Sequence, residues 1–267
     1  MISRDEYAVI QHSLAQFRYT SLHYVEYGDV SEYEIVVQNP EVIVLYGYQL
    51  EADQYEYHWA CNHLQSLTPW LSSRHEKEKI TFIPKEWVTE LIRHGFEWYA
   101  VWNDYVAVDI EKYAIDEEPH FVCLDECVKA SAVTISCRGQ SRGFTGQTAA
   151  WMRQWSNNEE PAAPDYAAEC AVLAARVEET LAGVICIAIY GEETSRTLWI
   201  REVAVTPAYQ GKGYARKLIG QAYTYGLRHG AKKAFLMADE CNKAAIRLYE
   251  SMGFKATSED GQIDMIR

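Results

Sequence analysis

No run in these 267 residues approaches the roughly 18 consecutive apolar residues that a membrane-spanning helix requires. The opening residues, Met1, Ile2, Ser3, Arg4, Asp5 and Glu6, lack the basic stretch followed by an apolar one that marks a secretory leader. These two absences predict a cytosolic protein with no membrane partner. Low-complexity tracts and blocks of like charge are missing as well, so most of the chain is expected to pack. A disulfide framework is not expected. The seven cysteines are an odd number, and Cys137 and Cys186 sit inside apolar, strand-like runs where a reduced thiol behaves as a small hydrophobe.

Basic charge is scarce in the front half. Residues 1–125 hold 8 Lys and Arg against 22 Asp and Glu, a balance of −14, whereas 126–267 hold 17 against 16, a balance of +1. A nucleic-acid surface needs a basic face for phosphates, so the balance argues against nucleic acid, and no nucleic-acid partner is expected. The acidic half either attracts a cationic acceptor or simply keeps the surface solvated, and the second is the plainer reading.

The length exceeds that of one ordinary domain, and two are expected, at 1–125 and 126–267, with 115–126 as the linker. In the second, 170–177 and 184–190 read as a hairpin and 197–205 as a third strand. A helix follows Gly211 and Gly213, carrying Leu218, Ala222 and Tyr225 on one stripe and stopping at Gly230. After a strand at 234–238, Asn242 opens a second helix with Ala245, Leu248 and Tyr249 on one face and Gly253 at its end. Closing strands are expected around the turn Glu259, Asp260, Gly261. Upstream, 132–138 reads as a strand, 148–155 as a short helix and 157–165 as a loop. In the front half, 41–50 and 54–60 read as strands, with Tyr55, Tyr57 and Trp59 alternating onto one face. There Leu91, Ile92, Arg93, His94, Gly95, Phe96 echoes Tyr249, Glu250, Ser251, Met252, Gly253, Phe254, each predicted to end a helix before a hairpin, which suggests a degenerate duplicate of one fold.

The chemistry concentrates in Val203, Ala204, Val205, Thr206, Pro207, Ala208, Tyr209, Gln210, Gly211, Lys212, Gly213, Tyr214, Ala215, a strand that passes through a glycine loop into a helix. Glycine lets backbone approach an anion, and a helix start offers unpaired N–H groups and the positive end of its dipole. Such a loop suits a pyrophosphate. Two dinucleotide motifs fail on residues. A Rossmann fingerprint needs a glycine where Arg216 stands, and a P-loop needs Ser or Thr after Lys212, where Gly213 stands.

From about residue 169 to 267 the chain resembles the GCN5-related N-acetyltransferase (GNAT) superfamily. The loop pattern of that family, Gln or Arg, x, x, Gly, x, Gly or Ala, is filled by Gln210, Gly211, Lys212, Gly213, Tyr214 and Ala215. Its later segment, Asn and then a helix ending Leu-Tyr-x-x-x-Gly-Phe, is filled by Asn242, Leu248, Tyr249, Gly253 and Phe254. The resemblance implies an α/β fold with a central mixed sheet flanked by helices, with a second, divergent α/β domain in front. It implies acetyl-CoA as co-substrate, with the pantetheine arm on backbone near Val203 and Val205, the pyrophosphate on amides of 211–215, and Asn242 touching the CoA arm.

Transfer to an amine needs a base for the ammonium proton and a donor for the departing thiolate. By the same resemblance Tyr249 is the expected donor. Glu202, an ionisable residue among the apolar neighbours Ile200 and Val203, is the candidate base, and a strand ion pair with Arg201 is the structural alternative. His58, Cys61 and His63 lack a fourth ligand beside an aromatic strand, so packing rather than a metal is expected. Cys241 is not needed as a nucleophile in direct transfer. The front half, with Leu91 in place of Tyr249 and no glycine loop, is expected not to bind CoA but to wall the acceptor site or form an oligomer surface, such as that of a homodimer. The expected acceptor is an amine, a small molecule rather than a protein. A non-catalytic acyl-CoA-binding module is the alternative from another class.

Overall fold

A computed structural model describes residues 1–49, 53–140, 142, 146–157, 167–257 and 261–267. In chain order the elements are α1 (Arg4–Ser13), β1 (Tyr19–Thr20), α2 (Tyr27–Val30), β2 (Glu34–Gln38), β3 (Val42–Gln49), β4 (Gln54–Cys61), α3 (Leu64–Leu67), β5 (Glu78–Ile83), α4 (Val88–Arg93) and β6 (Glu97–Ala107). There follow α5 (Cys127–Ile135), α6 (Ala149–Ser156), β7 (Ala167–Val177), β8 (Thr180–Tyr190), β9 (Thr197–Val205), α7 (Tyr214–Arg228), β10 (Lys233–Asp239), α8 (Lys243–Ser251), β11 (Lys255–Ala256) and β12 (Gln262–Ile266).

Packing divides the chain into one unit of Met1–Trp102 with Asp260–Arg267 and another of Asn103–Glu259. These bounds differ from 1–125 and 126–267, and hydrogen bonds give the reason. The segment read as a linker pairs with β7, where the Val122 N–H donates to the Val172 carbonyl at 2.9 Å and the Ala174 N–H to the His120 carbonyl at 2.7 Å. The chain end is a strand of the first unit, since β12 runs antiparallel to β5 and to the first residues of β6.

In the first unit the strands are ordered β2, β3, β4, β5, β12, β6, with β4 and β5 parallel and β1 on β4. Tyr55, Tyr57 and Trp59 share one face, as their alternation requires, and pack with Leu64, Trp87, Leu91 and Phe96. The opposite face packs Ile43, Leu45 and Ala60 against Ile10, Leu14 and Val30. In the second unit β10, β9, β8 and β7 lie in that order, with β10 and β9 parallel. One face carries Leu218, Ile219, Ala222 and Tyr223 of α7, and the other Trp151, Met152 and Trp155 of α6 with Cys127, Ala130 and Val133 of α5.

Apart from the two-residue β1 and the late strand β12 in the first, each unit runs through the same sequence: two helices, three antiparallel strands, a helix, a strand parallel to the one before, a helix and a strand. The echo at the last helix is atomic. The Phe96 N–H donates to the Leu91 carbonyl and the Phe254 N–H to the Tyr249 carbonyl, both at 3.1 Å, with Gly95 at φ 87° and Gly253 at φ 91°. Only glycine takes that backbone readily. At Gly253 an added Cβ would also lie 2.5 Å from the Tyr113 ring.

Three sequence expectations are corrected. Residues 132–138 are not a strand: α5 covers the run to Ile135, with Cys127, Ala130, Ser131 and Thr134 buried at helical spacing. A short apolar run carries no decisive period, and this one packs as a helix. Residues 97–107 form the single strand β6 rather than a hairpin, because two partners lie along its length, β12 beside its first half and β11 at Tyr105 and Val106. For the same reason β11 and β12 each pair with β6 rather than with one another. Glu259 and Asp260 of the expected turn, and 158–165 of the expected loop, lie outside the described residues. Among the described residues no helix is long and apolar enough to cross a membrane.

Candidate functional site

The site begins with an irregularity in β9. From Tyr190 opposite Thr197 to Ile187 opposite Ile200 the β8–β9 pairing is regular; then Cys186 faces Glu202, which leaves Arg201 as an extra residue. A bulge of this kind re-aims side chains. Leu198, Ile200, Val203 and Val205 belong to the core under α7, whereas Trp199 and Ala204 belong to the core under α5 and α6. The extra residue lets Arg201 and Glu202, successive in sequence, both reach the α6 side. The Arg201 guanidinium carbon lies 5.2 Å from the Trp151 ring centre, 5.4 Å from Trp199 and 5.7 Å from Trp155. Glu202 Oε1 accepts a hydrogen bond from Gln147 Nε2 at 2.7 Å, just before α6 begins.

Beyond the bulge, β9 frees part of its backbone. Registered pairs with the parallel strand β10 end at Trp199 and Phe235. The Thr206 N–H donates to the Ala182 carbonyl at 2.9 Å, so strand alternation turns Ala204 toward β8 and turns the N–H and C=O of Val203 and Val205 away from it. The Val205 carbonyl accepts from Gln210 Nε2 at 2.8 Å and from Cys137 Sγ at 3.3 Å. Gln210 thus pins the loop to the strand end.

The loop then turns through Gly211 at φ 73° and Gly213 at φ 87° before α7 starts at Tyr214. Among the described residues a Cβ at either glycine would meet no protein atom within 4 Å, so what reserves these positions for glycine is their backbone angle. The first-turn amides of α7 have no partner within the helix and point, with the positive dipole end, toward the loop. Lys212 Nζ reaches the Ala208 carbonyl at 3.0 Å and lies 5.3 Å from the Tyr209 ring centre. Tyr214 and Ala215 are the first two residues of α7 and are half-buried against its core.

Two further residues come from α8. Asn242 caps this helix, its Oδ1 accepting from the Ala245 N–H at 3.2 Å, which commits the oxygen but not the amide nitrogen. Tyr249 is partly buried against the α7 core and packs edge-on to Phe254, with ring centres 6.0 Å apart. Burial first, and the nearby Glu202 carboxylate second, push its phenol well above the ordinary range. The same two causes raise Cys137 and, more strongly, Cys186. The Glu202 charge thus reaches Tyr249, Cys137 and Cys186, and the phenol and both thiols keep their protons at neutral pH.

Sequence reading missed Gln147 and the pair Arg142–Asp239. Asp239 ends β10 and is fully buried, yet accepts from the Arg142 N–H at 2.9 Å, from Arg142 Nη2 at 2.8 Å and from Cys241 Sγ at 2.9 Å. Burial opposes ionisation there, and the Arg142 and Cys241 hydrogen bonds overcome it, holding Asp239 below the usual carboxylate range. A buried acid at a strand end was the available signal. His58, Cys61 and His63 lie in the first unit. His58 Nε2 is 3.4 Å from Glu56 Oε2, Cys61 is buried and His63 is exposed.

The glycine loop, the parting of β9 and β10 and the tyrosine of α8 all fall within a match of residues 142–254 to the model of the Acetyltransferase (GNAT) family. Residues 142–254 are a GNAT domain. Among characterised relatives, the chain is 30% identical over 71 residues to a thialysine N-epsilon-acetyltransferase of Sus scrofa, 27% of this chain and 42% of that protein. An uncharacterized protein of Mycobacterium leprae is 33% identical over 81 residues, 30% of this chain and 22% of that one. The matches thus span less than half of either relative. Two solved structures share the fold at low identity. A GCN5-related N-acetyltransferase from Anabaena variabilis aligns with 100% of this chain and 71% of its own at 10% identity and TM-score 0.56. A tandem GNAT protein from the clavulanic acid biosynthesis pathway aligns with 85% of this chain and 78% of its own at 11% identity and TM-score 0.55. The chain has the GNAT acyltransferase fold, with a second, divergent α/β domain at its N-terminus.

Proposed function

We propose that this protein is an N-acetyltransferase that moves the acetyl group of acetyl-CoA directly to a primary amine of a small acceptor. The observation that carries the reading is the meeting, at one end of β9, of a positive-φ glycine loop with a carboxylate and a protonated phenol. The residues fit the co-substrate. Amides of 211–215 suit the pyrophosphate, the backbone of Val203 and the N–H of Val205, whose carbonyl already accepts from Gln210 and Cys137, suit the pantetheine arm, and the Asn242 nitrogen is available to the same arm. Lys212, already near the loop, adds positive charge.

Each protein group then has one task. Glu202 accepts the proton of the incoming amine, directly or through a water, as the amine nitrogen bonds to the thioester carbon. Backbone N–H groups near Val205 hold the oxyanion that develops on the acetyl oxygen. Tyr249 gives its proton to the sulfur as the carbon–sulfur bond breaks, a role that demands a phenol still protonated at working pH. Solvent reprotonates Tyr249 and takes the proton from Glu202. No acyl-enzyme is needed, in keeping with a Cys241 thiol that hydrogen-bonds to Asp239. An acceptor screen by free-thiol release, using spermidine, glucosamine, L-lysine and a peptide with a free N-terminus, tests the proposal. An active enzyme releases thiol in an amine-dependent way with an N-acetylated product, whereas an acyl-CoA-binding module binds and releases none.

A further inference from the structure

Glu202 stands beside a strand bulge, a feature that re-aims side chains, and a contact from outside the strand can hold its carboxylate in place. Gln147 is built to do so. Its N–H donates to Thr134 Oγ1 at 2.9 Å, and its carbonyl accepts from Ser131 Oγ at 2.7 Å, two hydroxyls presented by α5. Ser131 and Thr134 are both buried and one helical turn apart, and Thr134 Oγ1 also donates to the Ser131 carbonyl at 2.9 Å. Next, Thr148 caps α6 by accepting from the Trp151 N–H at 3.1 Å. Gln147 is therefore fixed on both sides, by α5 through its own backbone and by the cap of α6 through its neighbour. From this mount its side-chain amide reaches Glu202 Oε1 at 2.7 Å, across 55 residues of sequence.

We propose that Gln147 is a positioning residue that aims the Glu202 carboxylate at the acceptor amine and favours its ionised form. This rests on the reading of Glu202 as the base. A donor to a carboxylate stabilises the charged form, so removing it moves the titration upward. Among the described residues, the groups whose titration the Glu202 charge raises do not compete near neutral pH. Tyr249 on α8, Cys186 on β8 and Cys137 after α5 are all pushed up and stay protonated, and Arg201 on the same strand stays cationic.

The test uses the full chain in four forms: wild type, Gln147→Leu, Gln147→Glu and Glu202→Gln. One readout is kcat/KM against pH for whichever of spermidine, glucosamine, L-lysine or the free-N-terminus peptide is turned over. The other is a ¹³C NMR titration of side-chain carboxyls without acetyl-CoA, in which the Glu202 signal is the one absent from Glu202→Gln. Gln147→Leu should raise the Glu202 titration and the acidic limb of the profile by about one pH unit. That costs about tenfold in kcat/KM one unit below the limb and little above it. Gln147→Glu places two carboxylates together and should raise both further, which keeps the test alive if the leucine variant folds poorly. A Glu202 signal that titrates at the same pH in wild type and both Gln147 variants overturns the proposal. An acidic limb that survives Glu202→Gln overturns the base assignment instead, and the aiming role with it.

Discussion

A phenol can act as an acid only while it keeps its proton, and burial together with the Glu202 carboxylate secures this for Tyr249. Replacing Tyr249 by Phe should lower kcat by about 10²- to 10⁴-fold, as removal of a general acid does, with a much smaller change in KM for acetyl-CoA. Single-turnover measurement, where chemistry limits the rate, checks this. An unchanged rate would leave Tyr249 as a packing residue on the face of α8 it shares with Leu248. Tyr249 and the two glycines could be singled out from sequence because each falls in a short local pattern, and Glu202 because it is an ionisable residue among apolar neighbours. Gln147 and Arg142 could not, since their partners Glu202 and Asp239 lie 55 and 97 residues away and no local spacing links them.

Where strand meets helix, the loop into α7 allows a sharp test. Gly213→Glu forces a side chain onto a φ of 87° and puts a negative charge where the reading places a pyrophosphate. The variant should lose CoA binding by calorimetry while its thermal midpoint falls only modestly, because among the described residues the added Cβ meets no protein atom within 4 Å. Retained affinity in a folded variant would contradict the loop assignment. At the start of α5, Glu126 makes a two-point pair with Arg176 of β7, both contacts 2.7 Å long, which holds its carboxyl down to about 2. A depressed carboxylate stabilises the fold above the unfolded value of roughly 4.3 and loses that contribution as pH falls toward about 2. Glu126→Gln should therefore flatten the decline in thermal midpoint between pH 5 and 3, with an effect of at most about 1 kcal/mol because the pair is partly exposed. Strands and helices with a clear period were legible at this scale. β9 occupies 197–205 as expected, and α7 and α8 start where their glycine and asparagine signals put them. The run in α5 was misread because its β-branched residues suit a strand, and only packing under β8 and β9 selects the helix. The length of β6 was illegible because its two partners come from far along the chain.

Across the whole chain, the division into units constrains what can be cut away. A fragment of 126–267 loses Tyr105, Ala107 and Ile110 from the core under α7, and the pairing of His120 and Val122 with β7. Burying one large apolar side chain contributes about 1.5–3 kcal/mol, and a domain has only about 5–15 kcal/mol in all. Such a fragment should melt well below the full chain or show no cooperative transition, as differential scanning calorimetry would show. The repeated order of elements explains why the echo at Gly95-Phe96 and Gly253-Phe254 was legible, with a buried Leu91 in the front unit where Tyr249 stands in the second. What no pattern in the chain specified is the acceptor, because the residues that aim Glu202 and surround Arg201 are brought together only by folding. The central claim is that this fold turns over acetyl-CoA, and the most direct test is free-thiol release by the full-length protein, with and without each amine of the panel. Amine-dependent thiol release with a matching N-acetylated product is the predicted result. CoA binding with no thiol release above the protein-free rate for any amine would contradict it.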